Sequence, residues 1–471
     1  MGKRFGIWAI VVFIALTLTA CGKNEMQAWI ENTETLQAWY EAITAEGTEI
    51  NSHQGYVEQF MVAHEADIDY GLAYAITAIL CEELELCEVT GDYTNEELAA
   101  YFSDEEQMYL LDFTLPMFET YFFDEEVAAY VQAAAISFAD YMNTQGELDE
   151  LYQICLSDTD EDATKLVEMK NEWLDALGVD KDYVPFAELT FAYNDTKLPE
   201  EYPYVLTDAE ANWYFHPSDV RKYGYKAFFE EYQIVEKLMP LDFADARELF
   251  EAYLPEKVEP VDICTMFYKN DVVENGLYRI KENHIELFDD WEMAKYALLH
   301  EYVHYLTMGQ TELCSKGWVF AEGVAEEAAV WVCENYLRAE YLRKIYDADQ
   351  MRELHVYDEE KGCASNEKLV HATANSLYFG KLEGLEYHTI TYELKKRPDR
   401  IKTLSELSYE EMASITSYLI EKYGRDAVYK GYYNYDSFME LVGKEFTELY
   451  DEWGAWNKEQ CDKLGLQFVY N

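Results

Sequence analysis

Two histidines four residues apart, His300 and His304, constrain this chain more than any other feature. On a helix that interval puts both imidazoles on one face, one turn apart. Two neutral imidazoles so placed can bind a single zinc ion, and Glu301 between them can act on a water held there. The neighbouring residues read as a helix. Trp291 to Leu306 contains neither Gly nor Pro, Asp289 or Asp290 can cap its start, and Glu292 falls in its first turn. The competing reading is an ordinary amphipathic helix carrying two partly buried histidines, so a second element has to decide.

Zinc at a reactive site takes three protein ligands and keeps a position open. Eighteen residues after His304 comes Glu322, inside Trp318-Val319-Phe320-Ala321-Glu322-Gly323-Val324-Ala325-Glu326-Glu327. Glu322 is placed to be the third ligand. Glu326 lies one turn further along the same face, where its carboxylate can take the free N–H of a ligand histidine, with Glu327 as its rival. Gly323, Ala325, Ala328 and Ala329 are small, which predicts close packing against the histidine helix.

H-E-x-x-H followed at this distance by an x-E-G-x-A-E segment resembles the gluzincin metallopeptidases, the superfamily of thermolysin and aminopeptidase N. Downstream, Tyr409 to Leu419 and then Glu421-Lys422-Tyr423-Gly424 are similar to the helix after the zinc site in the aminopeptidase-like branch. By that resemblance Tyr409 donates a hydrogen bond to the oxyanion of the tetrahedral intermediate, with His371, Tyr378, Tyr387 and His388 as alternatives. The resemblance implies one catalytic Zn2+ held by His300, His304 and Glu322, with Glu301 as general base in peptide-bond hydrolysis. It also implies a sheet edge that pairs with extended substrate, assigned to His284, Ile285, Glu286, Leu287 and Phe288. It spans roughly residues 260 to 460. The G-x-M-E-N stretch with which the aminopeptidase N family binds a free amino terminus is missing, so endopeptidase and exopeptidase remain equally open. A catalytically inactive gluzincin that binds envelope partners is the alternative.

The N-terminus reads as an export signal. Lys3 and Arg4 precede an apolar run from Phe5 to Leu18, which is short for a membrane span but suits a signal-peptide core. Leu18-Thr19-Ala20-Cys21 resembles the bacterial lipobox. Residues 1–20 are then a lipoprotein signal peptide, Cys21 carries the lipid, and the mature chain is anchored to the cell membrane on its extracytoplasmic face. Net charge is −57. Such a surface repels nucleic acid and anionic lipid and keeps the chain in solution; the peptide or protein partner is what the metallopeptidase resemblance implies. Asp158-x-Asp160-x-Asp162 begins like a calcium loop, but Ala163 and Met169 replace the residues such a loop needs. The cysteines after Cys21 (81, 87, 155, 264, 314, 333, 363 and 461) are even in number, and export permits disulfides. Cys81 and Cys87 are near enough to pair, and Cys314 and Cys333 bracket the start of the Glu322 helix.

Domain organisation follows from periodicity and breakers. Helical spacing recurs in Leu36–Ile43, Tyr70–Cys81, Val127–Tyr141 and Leu166–Leu177, which predicts a helical N-terminal domain over 21–195. Its histidines, His53 and His64, read as structural or exposed. Asn, Asp, Lys and Pro cluster between Asp195 and Pro203, and a metallopeptidase domain is expected over 200–471. There Tyr204–Leu206, Trp213–Phe215, Pro260–Tyr268, Tyr278–Ile280 and His284–Phe288 read as strands, Asp219–Leu254 as a helix, and 291–471 as largely helical. The expected class is α+β, mostly helical, with a small mixed sheet packed on the metal-binding helices.

Overall fold

Several helices in this protein begin where an oxygen-bearing side chain caps the first turn. The computed structural model describes residues 50–310, 318–332 and 407–465, short internal stretches apart, with 357–358, 363–364 and scattered positions from 368 to 378. The expected signal peptide, Cys21, the Leu36–Ile43 helix, His64, Asp289, Asp290, Cys314, Cys333, Tyr387 and His388 lie outside the described residues. The chain divides into two compact units, Met1–Leu206 and Thr207–Asn471. It is mostly helical with a small mixed sheet, an α+β protein.

The first unit is a set of helices: α1 (His53–Ala63), α2 (Tyr70–Glu83), α3 (Asn95–Phe102), α4 (Glu125–Gln145), α5 (Leu148–Cys155) and α6 (Asp160–Leu177). Thr94 and Glu97 form a reciprocal capping box at α3, and Asp124 and Thr159 cap α4 and α6. The acidic run Asp160-Glu161-Asp162 opens α6, where its charges face the positive end of the helix, which accounts for it without calcium. Gly146 ends α4 at φ 80°, a left-handed conformation that a side chain would strain. Two short strands, β1 (Ala192–Tyr193) and β2 (Tyr204–Thr207), pair antiparallel. Lys170 is buried with its Nζ donating to the Leu111 carbonyl at 2.6 Å, and it lies over the Phe113 and Tyr183 rings. Cys81 and Cys87, near enough in sequence to pair, form no disulfide. With Cys155, Cys264 and Cys461 they carry free thiols.

His53 anchors α1 to α2. Its Nε2 donates to the Tyr74 carbonyl at 3.1 Å and lies 3.0 Å from the Thr77 hydroxyl. Burial outweighs the Tyr74 bond and lowers its pKa to about 4. The folded state therefore keeps His53 neutral where the unfolded chain takes up a proton. The stability it contributes is complete above about pH 6.5 and is lost as pH falls towards about 4, by roughly 3 kcal/mol at most. Urea unfolding of this unit, followed from pH 7 to pH 4.5, should show that slope, and His53→Gln should flatten it. An unchanged slope in the variant would assign the acid sensitivity elsewhere.

In the second unit the strands are β3 (Ala211–Tyr214), β4 (Val261–Thr265), β5 (Gly276–Arg279) and β6 (His284–Leu287), neighbouring in the order β3-β4-β6-β5. β3–β4 and β4–β6 are parallel; β5–β6 is an antiparallel hairpin. Helix formers between them give α7 (Pro217–Tyr223) and α8 (Tyr225–Phe250), separated at Gly224. The expected single helix over 219–254 is thus two. Then come α9 (Trp291–His304), a π-turn over Tyr305–Gly309, and α10 (Trp318–Val332). A short strand pair, β7 (Tyr357–Asp358) and β8 (Cys363–Ala364), precedes α11 (Tyr409–Tyr423), α12 (Arg425–Tyr433), α13 (Tyr435–Val442) and α14 (Phe446–Lys463).

The strand order corrects one expectation. His284, Ile285, Glu286, Leu287 and Phe288 are not a sheet edge. β6 pairs with β4 on one side and β5 on the other, and the Phe288 N–H also bonds to the Asn275 carbonyl at 3.0 Å. The hairpin returns β6 to the inside, parallel to β4, and leaves β5 outermost among the described strands. The family resemblance pointed to β6, but parallel pairing needs a crossover, and here the crossover contains β5.

The face of the sheet carrying Trp213 and Ile263 is covered by helices. Trp213 lies 6.3 Å from Trp291 and 5.5 Å from Tyr232, ring centre to ring centre. Trp291 is further packed on Phe228 and Phe267, at 5.1 and 5.0 Å, and so pins the start of α9 to the sheet.

Candidate metal centre

Leu298, Leu299, Tyr302 and Val303 of α9 are buried, and Tyr302 stacks on Phe243 of α8 at 3.8 Å. That packing fixes the rotation of α9 and turns His300, Glu301 and His304 towards α10 and the sheet edge. α10 carries Glu322 opposite the histidines. Its position depends on Gly323, where a Cβ would lie 2.5 Å from the Thr416 hydroxyl and 3.3 Å from the Met412 carbonyl of α11. The small residue at 323 therefore serves the α10–α11 approach, rather than the expected approach to the histidine helix.

The three expected ligands meet. His300 Nε2 lies 3.1 Å from His304 Nε2 and 3.1 Å from Glu322 Oε2, and His304 Nε2 lies 3.5 Å from Glu322 Oε1. All three side chains are about 5% exposed. Donor atoms held about 2.0–2.1 Å from one ion in a tetrahedral arrangement stand about 3.4 Å apart, so this cluster has the spacing of a coordination site. Glu326 accepts from His300 Nδ1 at 2.9 Å. With the proton of His300 on Nδ1, its Nε2 lone pair faces a carboxylate and a second imidazole. Lone pairs at that distance repel unless a cation, a proton or a metal ion, lies between them. Glu301 and Glu322 are buried carboxylates with no Lys or Arg ion pair among the described residues. His300, His304 and Glu322 could hold a metal ion.

The local electrostatics agree. Burial pushes the Glu322 carboxyl up, but hydrogen bonds from His300 and His304 prevail and hold it well below the usual carboxylate range. Burial lowers the His304 pKa, but the bond to Glu322 and the charges of Glu301 and Glu322 prevail and raise it. The His304 Nδ1 is buried and has no hydrogen-bond partner among the described residues.

The rival carboxylates separate cleanly. Glu326 turns to His300, whereas Glu327 is gripped by Arg425 at 2.9 Å through both oxygens. That bidentate pair ties α10 to the start of α12. Tyr409 opens α11 behind Ser408, which forms a capping box with Glu411. The Tyr409 ring centre is 5.8 Å from that of His300, and the side chain is half exposed. Two of its alternatives lie in other contacts. His371 Nδ1 sits 3.1 Å from the Ser414 hydroxyl in a buried cluster with Asn457, and burial lowers its pKa to about 4. Tyr378 donates to Asp451 at 3.3 Å and covers Gly454.

Glu301 has a partner the sequence reading missed. Its Oε2 accepts from the Tyr278 backbone N–H at 2.7 Å. Glycine in a strand signals a close backbone approach, and Gly276 beside Tyr278 was the available signal.

Compared with known proteins, the chain matches no family model, no curated protein and no solved structure.

Proposed function

We propose that this chain is a zinc-dependent peptidase, tethered through a lipid on Cys21 to the extracytoplasmic face of the cell membrane. One observation carries the reading: two imidazole nitrogens and a carboxylate converge, with Glu301 on the same helix beside them. A His2Glu donor set with no thiolate favours zinc among common divalent ions. His300, His304 and Glu322 would hold the ion, and Glu326 would keep His300 in the tautomer that ligation requires. When bound, zinc supplies Lewis-acid chemistry, acidifying a water and polarising a carbonyl.

The remaining work belongs to side chains. Glu301 takes the proton of the attacking water and delivers it to the amine nitrogen as the peptide bond breaks. Tyr409, exposed and packed near His300, donates its O–H to the oxygen on which negative charge develops. An extended substrate has the outer side of β5 to lie against, since β6 is enclosed.

Purified full-length protein should contain one zinc per chain and digest casein, and a chelator should abolish the digestion. Zinc without turnover on casein or a mixed peptide library would favour a catalytically inactive binding protein. Absence of stoichiometric zinc would remove the reading altogether.

A further inference from the structure

The strand beside Glu301 does more than border the sheet. Two bonds show which way its backbone faces. Asn275 accepts from Phe288 N–H, and Arg279 accepts from Asn283 N–H at 2.7 Å, so the odd-numbered residues of this segment point to the β6 hairpin. Gly276 and Tyr278 therefore face outward. An outward N–H on an outermost strand normally goes to solvent or to an added strand. Here the N–H of Tyr278 goes to Glu301.

The surroundings hold that bond in place from three sides. A Cβ at Gly276 would stand 3.0 Å from Ala297 Cβ and 3.1 Å from Glu301 Cγ, so a larger residue would push β5 and α9 apart by a few tenths of an ångström. The Tyr278 hydroxyl donates to Asn283 Oδ1 at 2.7 Å, and Asn283 sits in the hairpin turn at φ 57°. The same hydroxyl lies against Gly309, where a Cβ would be 2.2 Å away, in the π-turn that follows His304. π-turns concentrate at functional sites, and this one presents a bare backbone to the tyrosine.

We propose that β5 is a strap that orients the Glu301 carboxylate, with Gly276, Tyr278 and Gly309 as positioning residues. Oε2 is anchored to the strand, and Oε1 is left as the oxygen that handles the proton. This rests on the hydrolase reading for its catalytic meaning, but the strap itself can be measured without turnover. Tyr278 N–H is also withdrawn from strand addition, so an extended peptide on this edge pairs with Gly276 and the Tyr278 carbonyl alone.

The test has two arms on the full-length, metal-loaded protein. In the first, residue-resolved amide exchange is compared between wild type and Glu301→Ala. Exchange at Tyr278 should quicken by about tenfold, the value of one net hydrogen bond, while Leu277 and Arg279 stay unchanged. Unchanged exchange at Tyr278, or equal acceleration along the whole strand, overturns the strap. In the second arm, Gly276→Ala should retain zinc and KM and lose at least about tenfold in kcat, because a small displacement of the base is costly. In a Glu301→Gln background it should cause no further loss. An additive loss there would overturn the route through Glu301. If wild type turns over no peptide while the exchange result holds, the hydrolase reading falls and the strap stands.

Discussion

Glu301→Gln is expected to keep its zinc and lose about 10^2–10^4-fold in kcat/KM for peptide hydrolysis. Glutamine is nearly isosteric with glutamate, and its amide oxygen can still accept the Tyr278 N–H that the carboxylate accepts at 2.7 Å. Packing and the strap are therefore preserved. What disappears is basicity: an amide cannot take a proton from water at neutral pH or return one to the leaving amine. None of His300, His304 and Glu322 is touched, so metal content measured on the purified variant should equal that of wild type. The loss should appear in kcat with KM little changed, since the interaction matters only as the transition state forms. Activity within a few-fold of wild type would falsify the general-base role. Activity lost together with the metal would show that Glu301 acts through the site's structure instead.

The parts legible in sequence are those governed by local rules. The four-residue interval of His300 and His304 is a helical distance, and α9 delivers it. Glu326 one turn beyond Glu322 is a helical distance as well, and it reaches His300 at 2.9 Å. Long amphipathic runs such as 127–141 and 166–177 became α4 and α6, each extended to the capping residue that precedes it. What was not legible depends on tertiary choices. Nothing local says whether a hairpin docks by its first or second strand, and the resemblance put the edge at His284 to Phe288, whereas β6 lies between β4 and β5. Gly323 was assigned to the wrong neighbour because a small residue announces a close approach without naming the partner, which proved to be α11. The Tyr278 contact is made by backbone, and backbone atoms leave no residue-type signature except the glycine that lets them come near.

Replacing His304 should act on the metal itself. His304→Ala removes one of three protein donors from a site whose atoms are all within 4.8 Å of one another. Apparent zinc binding energies of about 10–16 kcal/mol shared among four positions assign roughly 3 kcal/mol to each, so affinity should fall by about 10^2–10^3-fold. Glu326→Ala removes no donor. It frees the Nδ1 side of His300, and the expected loss is smaller, about 10–100-fold. The order of the two variants is the discriminating quantity. If the cluster were only a hydrogen-bonded core with protonated histidines, Glu326→Ala would be the more damaging to stability, because it strands a buried imidazole, and neither variant would change zinc affinity. Competition with a chromogenic chelator gives the affinities. Melting with and without chelator gives the linkage: zinc at about 1,000 times its Kd stabilises wild type by roughly 4 kcal/mol, and chelation should remove that amount. In His304→Ala the same zinc is only about 1–10 times Kd, so the difference between the two melting curves should shrink to roughly 0.4–1.4 kcal/mol. A His304→Ala protein that binds zinc as tightly as wild type would mean that the histidine face of α9 is packing, and that Glu301 has no metal to serve.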